Sequence, residues 1–519
     1  MTRPQLSRAL VTDPTWRASS AVAAPTARML ALPERAVQFG AGAFLRGFID
    51  AFLDAANAVG EFNGRVVAIG STGSGRDHAF SEQDGLYTLV ARGTARGQSS
   101  EERRVIGSVS RSLNAATEWN AVLECARNPD LALIFSNTTE VGIHFDADDR
   151  VDAEPPMSFP GKLTRFLFER AQTVDFDAAR GVIVVPCELI PQNGVQLRAL
   201  VDRYATLWAL DARFTAWLDT GTTFCNTLVD RIVPGAPTGS DAEALADSLG
   251  YSDALLTTAE HFRQFVIEGD AHLAERLGFV NANADIIVTA DVEPYRDRTV
   301  RLLNGTHSIS VAPALLMGCV TVHDAMTSPA VRAYIRRALM DDILPTLDVP
   351  HATQFARSVL ERFENPFIRH DLFGITLHGT AKLRVRIVPT AKLRVRIVPT
   401  VMRAAAMRGA VPDSLAFGLA AHLMFLRGDL QRRRLVAGQA VPPDELGARI
   451  HAEWIAHAPE SDRVALHTMV RAILADSAMW GTDLSLLPIF VDSVTLHLSR
   501  IISLGADRAL DTLLTTGVQ

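Results

Sequence analysis

"RAVQFGAGAFLRGFIDAFLDAA", Arg35 to Ala56, runs from an apolar strand through a Gly-rich turn into a helical pattern. Gly40 permits a tight turn, and Gly42 lets the backbone approach a pyrophosphate at a helix N-terminus. The third position of the Gly-x-Gly-x-x-Gly fingerprint falls on Leu45, so the motif is incomplete, and Gly-x-Gly alone is a common turn. Context carries the reading. Strand, turn, helix and the second strand "GRVVAIGSTGSG" (64–75) arrive in the order and length of a dinucleotide-binding unit. The usual acidic residue after that second strand is absent. Ser71, Thr72 and Arg76 lie there, which leaves NAD against NADP open, because an Arg accommodates a 2′-phosphate.

Further along, "DLALIFSNTTEVGI" (130–143) and "RGVIVVPCELIPQNG" (180–194) are short apolar runs ending in polar loops. Strands alternating with helical stretches indicate a parallel, doubly wound sheet. From about residue 290, Ala/Leu/Arg-rich helical patterns such as "SPAVRAYIRRALMDDILPTL" (328–347) dominate. The expected architecture is α/β: a loose Ala/Thr/Pro/Ser-rich arm over 1–30, a Rossmann-type domain over 31–288 and an all-helical domain over 289–519. Asn137, Thr138 and Thr139 follow a buried strand. They read either as contacts to the nicotinamide end of a cofactor or as an Asx- or ST-turn.

The 519 residues carry a formal net charge of −7 and 21% charged residues, which gives no nucleic-acid footprint. Four scattered cysteines, Cys125, Cys187, Cys225 and Cys319, predict reduced thiols in a cytoplasmic protein. No apolar window is long enough to span a bilayer. Basic residues are nearly all Arg, and the lysines are Lys162, Lys382 and Lys392. "AKLRVRIVPT" at 381–390 recurs unchanged at 391–400, too short and too few for a solenoid. If both copies were helical, the second would be moved about 15 Å along the axis, so Lys382 and Lys392 cannot share one site.

"FGAGAFLRGF", "SNTTEVGI", "VPCELIPQNG", "FCNTLVDRIVPG", "FVIEGD", "PYRDRTVRLLNGTH" and "RFENPFIRH" occur in this order. Together they resemble the polyol-specific long-chain dehydrogenase (mannitol dehydrogenase) family over roughly residues 35–500, most of all its tagaturonate-reducing branch. The resemblance implies a nicotinamide cofactor, NAD with NADP not excluded, no metal, and a monomer. It implies reduction of tagaturonate to altronate and the reverse, with a polyol or another hexuronate as the sibling substrate. Gly40, Gly42, Phe44, Ser71, Asn137, Thr138 and Thr139 are then cofactor contacts. Glu188, Asn193, Asp230 and Lys382 are substrate contacts. For Asn193 a turn role before Gly194 stays open, for Asp230 a salt bridge to Arg231, and Cys187 reads as a small buried hydrophobe.

The family's catalytic signature is a Lys five residues before an Asn that is itself three before a His. Asn304 and His307 match it, and the Lys position is Thr299. Hydride reduction of a ketone develops negative charge on oxygen, which must be stabilised and protonated. Asn304 and His307 can donate hydrogen bonds. Thr cannot exchange a proton at physiological pH, and Arg298 and Arg301 stay protonated. Loss of a general acid/base costs about 10²–10⁴-fold in rate. Two readings follow: an impaired oxidoreductase, or a homologue that binds dinucleotide and is catalytically crippled.

Overall fold

A computed structural model describes all residues except 1–2, 71–75, 96–97, 139–141, 385–397, 409–410, 429–443, 458, 460–461 and 517–519. The chain divides into two compact units: residues 1–93 with 100–292, and residues 94–99 with 293–519.

The first unit is built on six parallel strands, β1 (Glu34–Phe39), β2 (Arg65–Gly70), β3 (Val109–Asn114), β4 (Leu133–Ser136), β5 (Ile183–Pro186) and β6 (Thr223–Phe224), in spatial order 3-2-1-4-5-6. Side chains alternate between the two faces. Ala36, Ala68, Leu133, Phe135, Ile183 and Val185 feed one core. Val37, Phe39, Val67, Ile69, Ile134 and Val184 feed another. Because helices cover both faces, these strands read as continuous apolar runs rather than alternating ones. Each large side chain so buried contributes roughly 1.5–3 kcal/mol. Strand order reverses between β1 and β4, the place where open α/β sheets bind ligands beyond their carboxyl ends.

Two smaller sheets complete the unit. One joins Tyr87–Ala95, Gln98–Ile106 and Thr257–Glu260, the other Thr227–Asp230, Gln264–Glu268 and Ile286–Thr289. The arm expected to be loose is instead packed. Leu6 and Val11 are fully buried in a third core with Leu86, Val90, Leu245 and Tyr251. Ser7 and Asp13 cap two short helices, and the Leu6 amide donates to the Ser252 carbonyl at 2.9 Å. A few well-spaced anchors and two caps outweigh a composition that reads as linker.

Over residues 293–519 of the second unit the regular structure is helical among the described residues. The helix Asp413–Phe425 is apolar on nearly every side and buried accordingly. It packs against Pro488–Leu504 and Thr306–Leu316. Buried Tyr334 ties two of these together, its hydroxyl donating toward the carbonyls of Ile309 (3.2 Å) and Ser414 (3.0 Å). The amphipathic helix Ala352–Phe363 buries Phe355, Ala356, Val359 and Phe363 along one face. These contacts fix the helix that carries His307.

Candidate active site

Immediately after β1, Gly40 has φ +135°, a conformation that L side chains rarely adopt. A Cβ there would stand 3.0 Å from Leu45 Cδ1 and 3.2 Å from the Asn137 carbonyl oxygen. The side of Gly42 where a Cβ would point is open, with nothing within 4 Å. A pyrophosphate can therefore reach that backbone, as a dinucleotide requires. Leu45 fills the core where a third fingerprint glycine would lie, and the close approach moves to Gly47. A Cβ at Gly47 would sit 2.8 Å from Val233 Cγ1. Half-buried Phe44 stacks on Phe48, ring centroids 5.0 Å apart.

A buried polar network supports this turn. Gln38 Nε2 donates to the Gly40 carbonyl at 3.1 Å, and Tyr87 donates to Asp50 Oδ2 at 3.1 Å and to the Arg46 carbonyl at 2.8 Å. Arg46 donates to the Ala41 carbonyl at 2.7 Å and Thr257 Oγ1 at 3.0 Å. Complete burial pushes the Asp50 carboxyl up to about 7, against the opposing hydrogen bonds from Tyr87 and Gln38.

On the far side of the switch point, the loops after β4 and β5 are tied by Glu188. Its carboxylate accepts from Ser136 Oγ (3.1 Å) and the Thr138 amide (2.9 Å), while Asn137 Nδ2 donates to the Cys187 carbonyl (2.8 Å). Burial raises the Glu188 pKa. Asn193 is fully buried. Its amide donates to the Pro186 carbonyl (3.0 Å) and Thr227 Oγ1 (2.9 Å) and accepts from the Thr227 amide (2.9 Å). Glu188 and Asn193 thus spend their polar atoms shaping the loops. Asp230 ends the strand Thr227–Asp230, and neighbouring Arg231 turns to the carbonyls of Glu260 and Gly47. The Cys187 thiol is buried, and desolvation holds its pKa well above the usual thiol value. Ser71 and Thr139 lie outside the described residues.

In the second unit, the α-helix Glu293–Arg298 passes into a π-helical stretch, Thr299–Gly305, and then into the α-helix Thr306–Leu316. In an α-helix, residue 299 would point roughly 140° away from residue 304. The i→i+5 closure of a π-helix brings them together, which explains why a five-residue spacing can serve one site. Thr299 is 7% exposed, and its hydroxyl has no hydrogen-bond partner among the described residues. The flanking arginines are structural. Arg298 donates to the Pro350 carbonyl (2.8 Å) and lies over Phe355. Fully buried Arg301 bonds Thr346 and Thr400.

His307, half-buried, lies flat on Phe363, centroids 4.1 Å apart and planes at 13°. It meets His370 edge-on at 5.0 Å. Ser308 Oγ donates to the Asn304 carbonyl at 2.8 Å. One turn on, Ser308, Thr376, Lys382, His422 and Asp444 line a cavity of about 20 Å³, room for one water. Lys382 Nζ donates to the Ile375 carbonyl at 2.9 Å. Lys382 belongs to the first repeat copy, and Lys392 of the second lies outside the described residues. His370 and His422 were not assigned from sequence. The "RFENPFIRH" motif contains the first, but only the fold shows what it touches.

A glycine turn shaped for a pyrophosphate on a 3-2-1-4-5-6 sheet, followed in the chain by a helical unit, marks a nicotinamide-dependent oxidoreductase. The chain belongs to the mannitol dehydrogenase family: residues 34–281 match its Rossmann domain and 291–502 its C-terminal domain. An altronate oxidoreductase of Cronobacter sakazakii is 40% identical over 487 residues, 92% of this chain and 96% of that one. Another, of Bacillus subtilis, is 38% identical over 480 residues, 92% and 95% of the two chains. Among solved structures, Pseudomonas fluorescens mannitol 2-dehydrogenase with NAD and D-mannitol superposes with TM-score 0.67 at 24% identity, covering 98% and 99% of the chains. A substrate-free D-sorbitol dehydrogenase gives 0.74 at 24%, covering 96% and 99%. These two establish the fold. No described helix is long and apolar enough to cross a membrane.

Proposed function

We propose that this protein interconverts tagaturonate and altronate using NAD, at a rate reduced because Thr299 stands at the family's Lys position. The observation that carries the reading is Asn304 and His307 on the π-to-α junction, in a chain about 40% identical to altronate oxidoreductases over nine-tenths of its length. When bound, the nicotinamide supplies a hydride to the carbonyl carbon. The Gly40–Gly42 turn, Phe44, Asn137 and Thr138 hold the dinucleotide, with Glu188 and Asn193 fixing the loops that present them. Asn304 donates its amide hydrogen to the substrate oxygen, and His307 donates a ring N–H. Lys382, with Asp230, orients the sugar acid. The protein acts as a cytoplasmic monomer.

Thr299, whose buried hydroxyl has no partner among the described residues and cannot exchange a proton at physiological pH, favours a second reading, in which dinucleotide binding survives and turnover does not. Assay of NADH oxidation with tagaturonate, fructuronate and fructose separates these readings. Altronate formation supports the first. Tight NADH binding with no turnover on any substrate supports the second. Preference for fructose contradicts the substrate assignment. Parallel fluorescence titrations with NADH and NADPH test the cofactor, and tighter NADPH binding overturns NAD.

A further inference from the structure

With Thr at position 299, the proton for a reduced carbonyl must come from elsewhere. Arg298 and Arg301 are held in structural contacts and keep their protons. Beside Asn304 the second unit assembles three titratable groups instead. His307 follows on the same helix, His370 meets its ring at 5.0 Å, and Lys382 is close enough to His370 to act on it electrostatically. At a 5.0 Å centroid separation with the planes nearly perpendicular, the nitrogens of the two rings lie within the span of one bridging water.

We propose that His370 is a positioning residue that resupplies His307 with the proton His307 gives to the substrate oxygen. The proposal rests on the oxidoreductase reading above. In reduction, the hydride brings both electrons to the carbonyl carbon and the π pair moves to oxygen. The oxygen takes the proton of a His307 ring N–H. Neutral His307 then regains one proton by way of His370, which is refilled from solvent. Net uptake is one proton per carbonyl reduced, and oxidation of the alcohol runs the same path backwards.

The surroundings of His370 suit a relay. Its ring is half-buried next to Phe363-stacked His307. Arg362, Asp371 and Lys382 are the charged groups that act on it. Burial lowers its pKa below that of an ordinary imidazole, Lys382 and Arg362 lower it further, and Asp371 opposes them. The ring is therefore neutral near pH 7, with one nitrogen ready to accept a proton.

The test uses His370→Gln in both the native protein and the Thr299→Lys variant. In the native background, kcat for tagaturonate reduction should fall about tenfold or more, with KM changed by less than about threefold and the imidazole limb of the kcat pH profile lost. In the Thr299→Lys background the loss should shrink to less than about threefold, because Lys supplies the proton. Equal losses in both backgrounds, or an unmoved pH profile, overturn the relay. The resting protein gives a second readout. By imidazole NMR, His370→Gln should shift the His307 titration midpoint, and an unmoved midpoint also overturns the relay. If neither background reduces any hexuronate, the substrate reading fails, while the NMR coupling still decides the relay.

Discussion

The imidazole of His307 lies flat on the ring of Phe363, 4.1 Å between centroids and 13° between planes. That platform holds the ring at a fixed tilt to its helix while His370 meets it edge-on. Phe363→Ala removes one wall of the socket and leaves His307 several rotamers. Turnover should drop about tenfold or more with NADH affinity unchanged, measured by steady-state kinetics beside a fluorescence titration. Unchanged kcat would show that the stacking does not orient the imidazole.

At the other end of the chemistry, Gly40→Ala forces a side chain into φ +135° against Leu45 and the Asn137 carbonyl. Such strain costs on the order of 1–3 kcal/mol. NADH binding should weaken at least about tenfold while circular dichroism stays native. Native affinity in this variant would remove the turn from the cofactor site.

Asp50, below the same turn, makes stability depend on pH. Its folded pKa, about 7, lies above its ordinary value of 3.8. The stability it allows is fully present below about pH 4 and is lost as pH rises through about 7. Asp50→Asn keeps an acceptor for Gln38 and Tyr87 without the charge. Thermal unfolding should find the two proteins alike near pH 4 and the variant more stable at pH 8, by up to roughly 4 kcal/mol. A gap independent of pH would mean that Asp50 does not titrate as its burial implies.

Glu188→Ala leaves Ser136 Oγ and the Thr138 amide without their shared acceptor. The expected cost is about 1–3 kcal/mol in thermal unfolding, together with weaker NADH binding. Loss of stability alone, with native cofactor affinity, would separate the 136–138 loop from the cofactor.

Four of the six strands, β1, β2, β4 and β5, were legible in the sequence because both their faces are buried, whereas the polar edge strand Val109–Asn114 and the short edge strand Thr223–Phe224 were not. Val37, Ile134 and Val184 lie on one side and Ala36, Leu133 and Ile183 on the other, so the strands stand out as unbroken apolar runs. Gly40 was legible for a similar reason, since only a tight turn sits between that strand and its helix. The arm was not. Leu6 finds its partners near Leu245 and Tyr251, far along the chain, and no local pattern announces that. The motif placed Asn304 and His307 together, but the π-helical closure that turns position 299 toward them has no sequence signature. Nor was the His307–His370 contact readable, because it depends on how the chain after Phe363 folds back. Glu188 and Asn193 were expected as substrate contacts, and their hydrogen bonds, which no local sequence pattern shows, tie the loops around them.

The central claim is that Thr299 limits a site otherwise built for carbonyl reduction. Steady-state reduction of tagaturonate by NADH, comparing the native protein with Thr299→Lys, tests it most directly. The native protein should bind NADH and turn over slowly, and the variant should gain about 10²–10⁴-fold in kcat. Ordinary turnover by the native protein, with no gain from the lysine, would contradict the account.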